Sequence, residues 1–235
     1  MRDQLLVEAR GVRYRYEDGT PALEGVDFEL RRNETVALFG PNGSGKTTFV
    51  LLLNGLLTGE GEIRVCGLRV ERKNLPVIRR KVGVVFQDPE EQLFMPTVLE
   101  DVAFGLLSQG IERERALKAA TGALEKVGMK HNSNRAPYHL SAGEKRRATL
   151  AGVLVMKPEI LILDEPTTFL DPPGQRDLIH LLEELPQSKI VVTHDTCFAR
   201  ALAQRAVFFE KGRVTGAGAV EDIARRFDWD SRPAR

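Results

Sequence analysis

Cysteine is nearly absent from this chain, with two residues, Cys66 and Cys197, in 235. They lie far apart in unrelated contexts, which excludes a disulfide framework and any zinc-ligand spacing. The usage suits a reducing compartment. Net charge is also missing: Lys and Arg total 34 against 33 Asp and Glu. That balance supplies no overall pull toward nucleic acid or anionic lipid, so neither is expected as a partner. Long apolar runs are absent too. The longest stretches, residues 49–53 and 160–163, fall far short of the ~18–20 residues of a membrane-spanning helix. The opening Met1-Arg2-Asp3-Gln4 is polar and leads into a strand-like segment, without the apolar core of a signal peptide. No internal repeat or low-complexity segment is evident. What remains is a chain with 42% hydrophobic residues, ordinary for a soluble globular protein, and a membrane role would require a partner.

Residues 5–16 and 23–30 alternate apolar and polar positions about the turn Glu17-Asp18-Gly19, the pattern of an N-terminal antiparallel β part. Residues 35–39 are a short apolar run ending at Gly40, as for a buried strand entering a loop. Residues 47–53 read as a helix, and 61–65 and 81–86 as strands. The middle changes character: 98–107, 113–127 and 141–156 are helical in pattern, with Leu117, Ala120, Leu124 and Val127 on one face. The end returns to alternation, with strands at 160–163, 189–192 and 205–210 and a helix at 177–185. After Glu221 a basic segment bearing the one tryptophan reads as a tail. Alternation of this kind implies an α/β fold with a mostly parallel sheet and a helical insert.

Three elements carry chemistry. Gly40-Pro41-Asn42-Gly43-Ser44-Gly45-Lys46-Thr47 fits G-x-x-x-x-G-K-[ST] between a predicted strand and a predicted helix. Its glycines let backbone N–H groups converge on phosphate oxygens. Lys46 is placed for the β- and γ-phosphates and the Thr47 hydroxyl for Mg²⁺, while the following helix, through Thr48, presents its positive end. In Leu161-Ile162-Leu163-Asp164-Glu165 an apolar strand ends in two acids. Asp164 suits the metal and Glu165 suits a base for the attacking water. Leu140-Ser141-Ala142-Gly143-Glu144-Lys145-Arg146-Arg147 opens a helix. Ser141 with Glu144 spells a plain capping box, and a helix start also attracts an anion.

These three elements, in this order, resemble the Walker A, LSGGQ and Walker B motifs of ABC ATPases, over roughly residues 5–223. The resemblance implies a P-loop NTPase of the ABC type. The expected domain is a single one over 1–235, with a RecA-like core at about 1–87 and 157–235 and a helical subdomain at about 88–156. It implies ATP and Mg²⁺ as cofactors. Nucleotide would be bound by Tyr16, Gly40, Asn42, Gly43, Ser44, Gly45, Lys46, Thr47 and Thr48, with Ser141, Gly143 and Glu144 serving the nucleotide of a second copy. Glu165, Gln87 and His194 would be catalytic, and Thr47, Gln87 and Asp164 would hold the metal. Gln87 resembles the Q-loop glutamine, His194 the switch histidine, Leu170-Asp171 the end of the D-loop, and Tyr16 the aromatic that stacks on adenine, with Tyr14 as its competitor. The implied working form is a head-to-tail homodimer with ATP between the chains. Ala142 departs from the family's glycine, a change that is mild at negative φ and costly at positive φ; Glu144 departs from its glutamine.

Asp88-Pro89-Glu90-Glu91-Gln92-Leu93-Phe94 follows Gln87, and Asp101-Val102-Ala103-Phe104-Gly105 comes after it. Both resemble ATPases of energy-coupling-factor importers, the cobalt and nickel branch in particular. That resemblance implies an integral membrane subunit docking near Glu90, Glu91, Leu93 and Phe94, and residence at the cytoplasmic face of the membrane. Biotin or another vitamin is the alternative cargo, and a soluble non-transport ABC ATPase the alternative class. A guanine-reading Asn-Lys-x-Asp element is absent, against a GTPase, and a chain of this length excludes the coiled-coil arms of DNA-repair ABC ATPases.

Overall fold

A computed structural model describes residues 4–229; Met1–Asp3 and the last six residues of the predicted tail lie outside them. Strands β1 (Leu5–Arg15) and β2 (Pro21–Arg31) pair antiparallel about the predicted turn, and β4 (Glu60–Val65) and β5 (Leu68–Arg69) complete a four-stranded sheet in the order β2-β1-β4-β5. The second sheet holds β3 (Thr35–Phe39), β6 (Val82–Val85), β7 (Ile160–Asp164), β8 (Ser188–Val192), β9 (Arg205–Glu210) and β10 (Arg213–Gly218), in the order β10-β9-β3-β8-β7-β6. All its pairings are parallel except the edge pair β10–β9. Each residue of β3, β7 and β8 is buried. Strands covered on both faces read as continuous apolar runs rather than alternation, which is why these three were legible as short blocks.

Helix α1 (Lys46–Leu53) follows β3 after the loop 40–45 and packs through Phe49 against Phe28 and Phe209 in the core between the two sheets. Helices α3 (Val98–Ser108), α4 (Arg113–Lys126) and α5 (Ala142–Leu154) lie between β6 and β7 in sequence and share a second core with β6, β7 and α6 (Pro172–Glu183). Ala120, Leu124 and Val127 are buried there and Leu117 is partly buried against them, as the predicted face requires.

Three expectations are corrected. Lys81 does not open the β6 strand; it ends α2 (Leu75–Lys81), a helix without a sequence signal beyond its seven residues. Helix α6 begins at Pro172 rather than at 177, because Asp171 caps the N–H of Gly174 and two prolines fill its first positions, where a missing N–H costs nothing. The predicted tail is helical: α8 (Val220–Arg226) packs with α7 (Thr196–Leu202) against β9, and Trp229 lies edge-on to Phe208.

Candidate active site

The strand–loop–helix at β3–α1 makes a concave backbone. Gly40 has φ +136°, and a Cβ there would sit 2.0 Å from the carbonyl oxygen of Phe209. Gly45 has φ +102°, with Ala22 O 2.5 Å from its would-be Cβ. The loop therefore demands glycine at both positions, by conformation and by space. Lys46, only 6% exposed, donates from Nζ to Gly40 O (2.6 Å) and Pro41 O (3.0 Å) and lies 3.5 Å from Ser44 Oγ. Burial pulls its pKa down, opposed by the charges of Glu165 and Asp164.

The sheet brings two acids to this loop. Thr47 Oγ1 donates to Asp164 Oδ2 (3.1 Å). Burial raises the Asp164 pKa, while the Thr47 hydrogen bond and the charges of Lys46 and Arg146 oppose it. Glu165 stands just past the end of β7 with φ +43°, a left-handed conformation that costs a non-glycine residue roughly 1–2 kcal/mol. Its N–H donates to Val192 O (2.9 Å) and its Oε2 accepts from the N–H of His194 (3.3 Å), so β8 holds it in that shape. Burial pushes its carboxyl up to about 7. His194 Nε2 is 3.0 Å from Glu165 Oε1 and 3.0 Å from Asn42 Oδ1. Hydrogen-bond geometry is met only toward Asn42, so Glu165 Oε1 remains a buried acceptor without a hydrogen bond. Burial and Lys46 together lower the His194 pKa.

A cleft of about 340 Å³ unites Tyr16, Lys46, Thr47, Gln87, Asp164, Glu165 and His194. Tyr16 is 43% exposed and its hydroxyl pairs with Thr48 Oγ1 (2.7 Å), whereas Tyr14 packs against the core and does not line the cleft. Asn42, Gly43, Ser44, Gly45 and Thr48 line it as well; Gly40, Ser141, Gly143 and Glu144 do not. Among the described residues no group of three or more His, Cys, Asp and Glu could hold a metal. A hydroxyl and a carboxylate oxygen in contact, beside a buried acceptor without a hydrogen bond, suit Mg²⁺, which takes few protein oxygens and completes its shell with water and phosphate.

The family model described as ABC transporter matches residues 23–168, well over half of the chain. The chain is an ABC transporter ATP-binding protein. This ABC ATPase is 46% identical over 226 residues to the energy-coupling factor transporter ATP-binding protein EcfA of Methanothermobacter thermautotrophicus, covering 94% of this chain and 73% of the relative. CbiO1 from Clostridium perfringens, described as part of the ABC transporter complex CbiONQ, superposes with TM-score 0.85 at 34% identity, over 96% of this chain and 93% of that one. The ATP-binding cassette MJ0796, solved as a dimer with ADP and Pi, superposes with TM-score 0.81 at 29% identity, over 91% and 98%. The P-loop NTPase fold and the ATPase activity follow from membership.

The cassette's third motif forms a complete capping box. Ser141 Oγ accepts from the Glu144 N–H (3.3 Å) and Glu144 Oε2 accepts from the Ser141 N–H (2.8 Å). Glu144 Oε1 accepts from Asn132 Nδ2 (2.7 Å), with Arg135 at 3.7 Å. These partners, the Ser141 N–H first, hold its carboxyl below the usual range, and both its oxygens are engaged within the chain. Ala142 is the first helical residue and is not among the residues of positive φ, so its methyl costs no backbone strain.

Two features of the cassette were not legible. Arg146, 2% exposed, donates from Nη1 to Phe86 O (2.7 Å) and from Nη2 to Gln87 O (2.8 Å). In sequence it sits in a basic run; its signal was helical phase, since it precedes buried Thr149 and Leu150 by three and four positions. Phe169 is 74% exposed with φ +65°, and nothing in its local sequence announces either property.

Proposed function

We propose that this chain is the ATPase subunit of an energy-coupling-factor type importer, hydrolysing Mg²⁺·ATP in the cleft beside Lys46. The single observation that carries the reading is the convergence of Lys46, Thr47, Asp164, Glu165 and His194 on one cleft, with the phosphate loop more than 100 residues from the acids and the histidine. Thr47, Asp164 and Gln87 would hold Mg²⁺, which neutralises charge on the phosphates. Lys46 would give up its loop carbonyls for phosphate oxygens. Glu165, with its raised pKa, takes the proton of the attacking water, and His194, oriented by Asn42, faces the γ-phosphate. Tyr16 stacks on adenine. Ser141, Gly143 and the cap formed by Glu144 serve the nucleotide of a second copy, with 88–156 acting as the helical subdomain and 1–87 with 157–235 as the core. The dimeric cassette among its structural neighbours supports that assembly.

Among the described residues no helix is long and apolar enough to cross a membrane, so coupling needs a membrane subunit. A groove of about 220 Å³ between Gln92, Phe94, Asp101, Phe104 and Gly152 is our choice for its docking site. Phe94 is 60% exposed and stands edge-on to Phe104, 5.0 Å between ring centres. Glu90 is already paired with Lys145, which leaves Glu91 and the aromatic pair as the better contacts and makes Glu90 the weaker part of the expected acidic patch. Kinship with EcfA and CbiO1 favours a transporter subunit over a soluble ATPase; an importer at the cytoplasmic face, with cobalt or nickel rather than a vitamin as cargo, rests on the resemblance of residues 87–105. Co-purification of the full chain with its membrane subunit tests the reading. Phe94→Ala together with Glu91→Lys should lower recovery of the complex several-fold and leave Mg²⁺-dependent hydrolysis by the free chain unchanged. Full recovery would remove the groove, and no retained membrane protein with the wild-type chain would favour the soluble alternative.

A further inference from the structure

Arg146 is the largest fully buried side chain among the described residues. It is a charge without an ion pair: its two hydrogen bonds go to neutral carbonyls, those of Phe86 and Gln87, and Nε is buried with no acceptor. Asp88 and Asp164 act on it only from a distance, and burial pulls its pKa down to about 10. A buried guanidinium of this kind is costly, and an apolar side chain of similar volume is often neutral or better for stability. Packing alone does not account for it.

Its position does. The two carbonyls belong to the segment that leaves β6 and carries the Gln87 side chain to the cleft. The rest of that segment is pinned nearby: Gln92 accepts from the Phe86 N–H (3.0 Å) and donates to Val84 O (3.0 Å), and Asp88 accepts from the Glu90 N–H (2.9 Å). One residue before Arg146 on the same helix, Lys145 pairs with Glu90. The helix whose first turn holds Ser141–Glu144 thus grips the Gln87 loop from inside through Arg146 and from outside through Lys145. A planar fork with two parallel N–H donors fixes orientation as well as distance.

We infer that Arg146 is a positioning residue: it locks the Gln87 backbone to the start of α5, so that the chain's own cleft and the face it offers a second nucleotide move as one unit. This rests on the role proposed above for Gln87. The test uses the full-length chain with Arg146→Met, Arg146→Lys, Gln87→Ala and the double variant Gln87→Ala/Arg146→Lys. The Met variant should lower kcat at least ten-fold and raise the half-saturating Mg²⁺ concentration several-fold, with affinity for a fluorescent ATP analogue in the absence of Mg²⁺ within two-fold of wild type. The Lys variant, keeping charge and donors but not the fork, should fall between. Amide exchange over residues 86–92 should quicken in both while α1 keeps its protection. Unchanged kcat and Mg²⁺ dependence, or an equal loss of metal-free nucleotide affinity, overturns the inference. If the Met variant does not fold, the Lys variant decides by the same criteria. In the Gln87→Ala background Arg146→Lys should cost nothing further, and a full additional loss would show that Arg146 acts elsewhere. If Gln87→Ala alone leaves kcat and Mg²⁺ dependence at wild type, the role of Gln87 fails, whereas faster exchange at 86–92 would still report the backbone lock.

Discussion

Thr47 Oγ1 and Asp164 Oδ2 are joined by a hydrogen bond of 3.1 Å between residues 117 positions apart. The bond lays the phosphate loop against the end of β7 and puts two hard oxygens side by side. Asp164→Asn keeps the shape and an acceptor for Thr47 but removes the charge. ATP affinity without Mg²⁺ should stay within two-fold, while Mg²⁺-dependent hydrolysis falls by about two orders of magnitude, as loss of a metal ligand does. Calorimetry with and without Mg²⁺, beside a phosphate-release assay, reads both.

Lys46→Ala removes the cation buried in the loop. Charge-assisted hydrogen bonds contribute ~1.5–3 kcal/mol each, so ATP affinity should drop by roughly ten- to a hundred-fold. The fold survives, because the loop keeps backbone hydrogen bonds that do not involve Lys46: the Ser44 N–H donates to Pro41 O (3.1 Å) and the Gly212 N–H to Ser44 O (3.1 Å). Nucleotide titration and circular dichroism give the two readings; unchanged affinity would refute the role of Lys46.

Glu165→Gln should bind ATP, hydrolyse it at least a hundred-fold more slowly, and accumulate an ATP-dependent dimer on gel filtration. Two pH effects accompany it. With the carboxyl held at about 7, the wild-type rate should fall as pH drops below 7, because the base is then protonated. Stability runs the other way. Raising the pKa from its ordinary 4.5 to about 7 makes the ionised form a cost of about 3 kcal/mol. That cost is absent below pH 4.5, grows as pH rises, and is complete above 7. The Gln variant should therefore be the more stable protein at pH 8 and lose the advantage toward pH 4.5, as followed by urea unfolding.

Tyr16→Ala should weaken nucleotide binding roughly five- to a hundred-fold, by the ~1–3 kcal/mol that aromatic stacking on a base supplies. Tyr16→Phe keeps the ring and loses only the Thr48 hydrogen bond, so its affinity should remain within about two-fold. Tyr14→Ala should lower the melting temperature, since Tyr14 packs against the core, and leave affinity alone. Reversal of the Tyr14 and Tyr16 results would exchange their roles.

Phe169→Gly should raise stability. The phenylalanine sits at φ +65° with 74% of its surface exposed, so the change relieves roughly 1–2 kcal/mol of backbone strain and loses little buried surface. The greater freedom of an unfolded glycine offsets about half of that. A rise of about 1–4 °C in Tm is expected; a fall would mean that the ring makes contacts worth more than the strain.

The phosphate loop, the two acids closing β7 and the buried strands β3, β7 and β8 were determined by the sequence alone, and for one reason. Each is a short contiguous segment whose backbone demands, glycine where φ is positive or an apolar residue where both faces are covered, are written in its own residues. Helices α2, α7 and α8, of seven residues each, were not legible, because isolated helices that short are unstable and take their stability from packing. Tertiary structure alone decided which tyrosine reaches the cleft, that His194 meets Asn42 and Glu165, and that Arg146 rather than its basic neighbours is buried. Each of those outcomes depends on a partner tens to more than a hundred positions away, and distances between such groups are set by sheet order and helix packing, which no local pattern encodes.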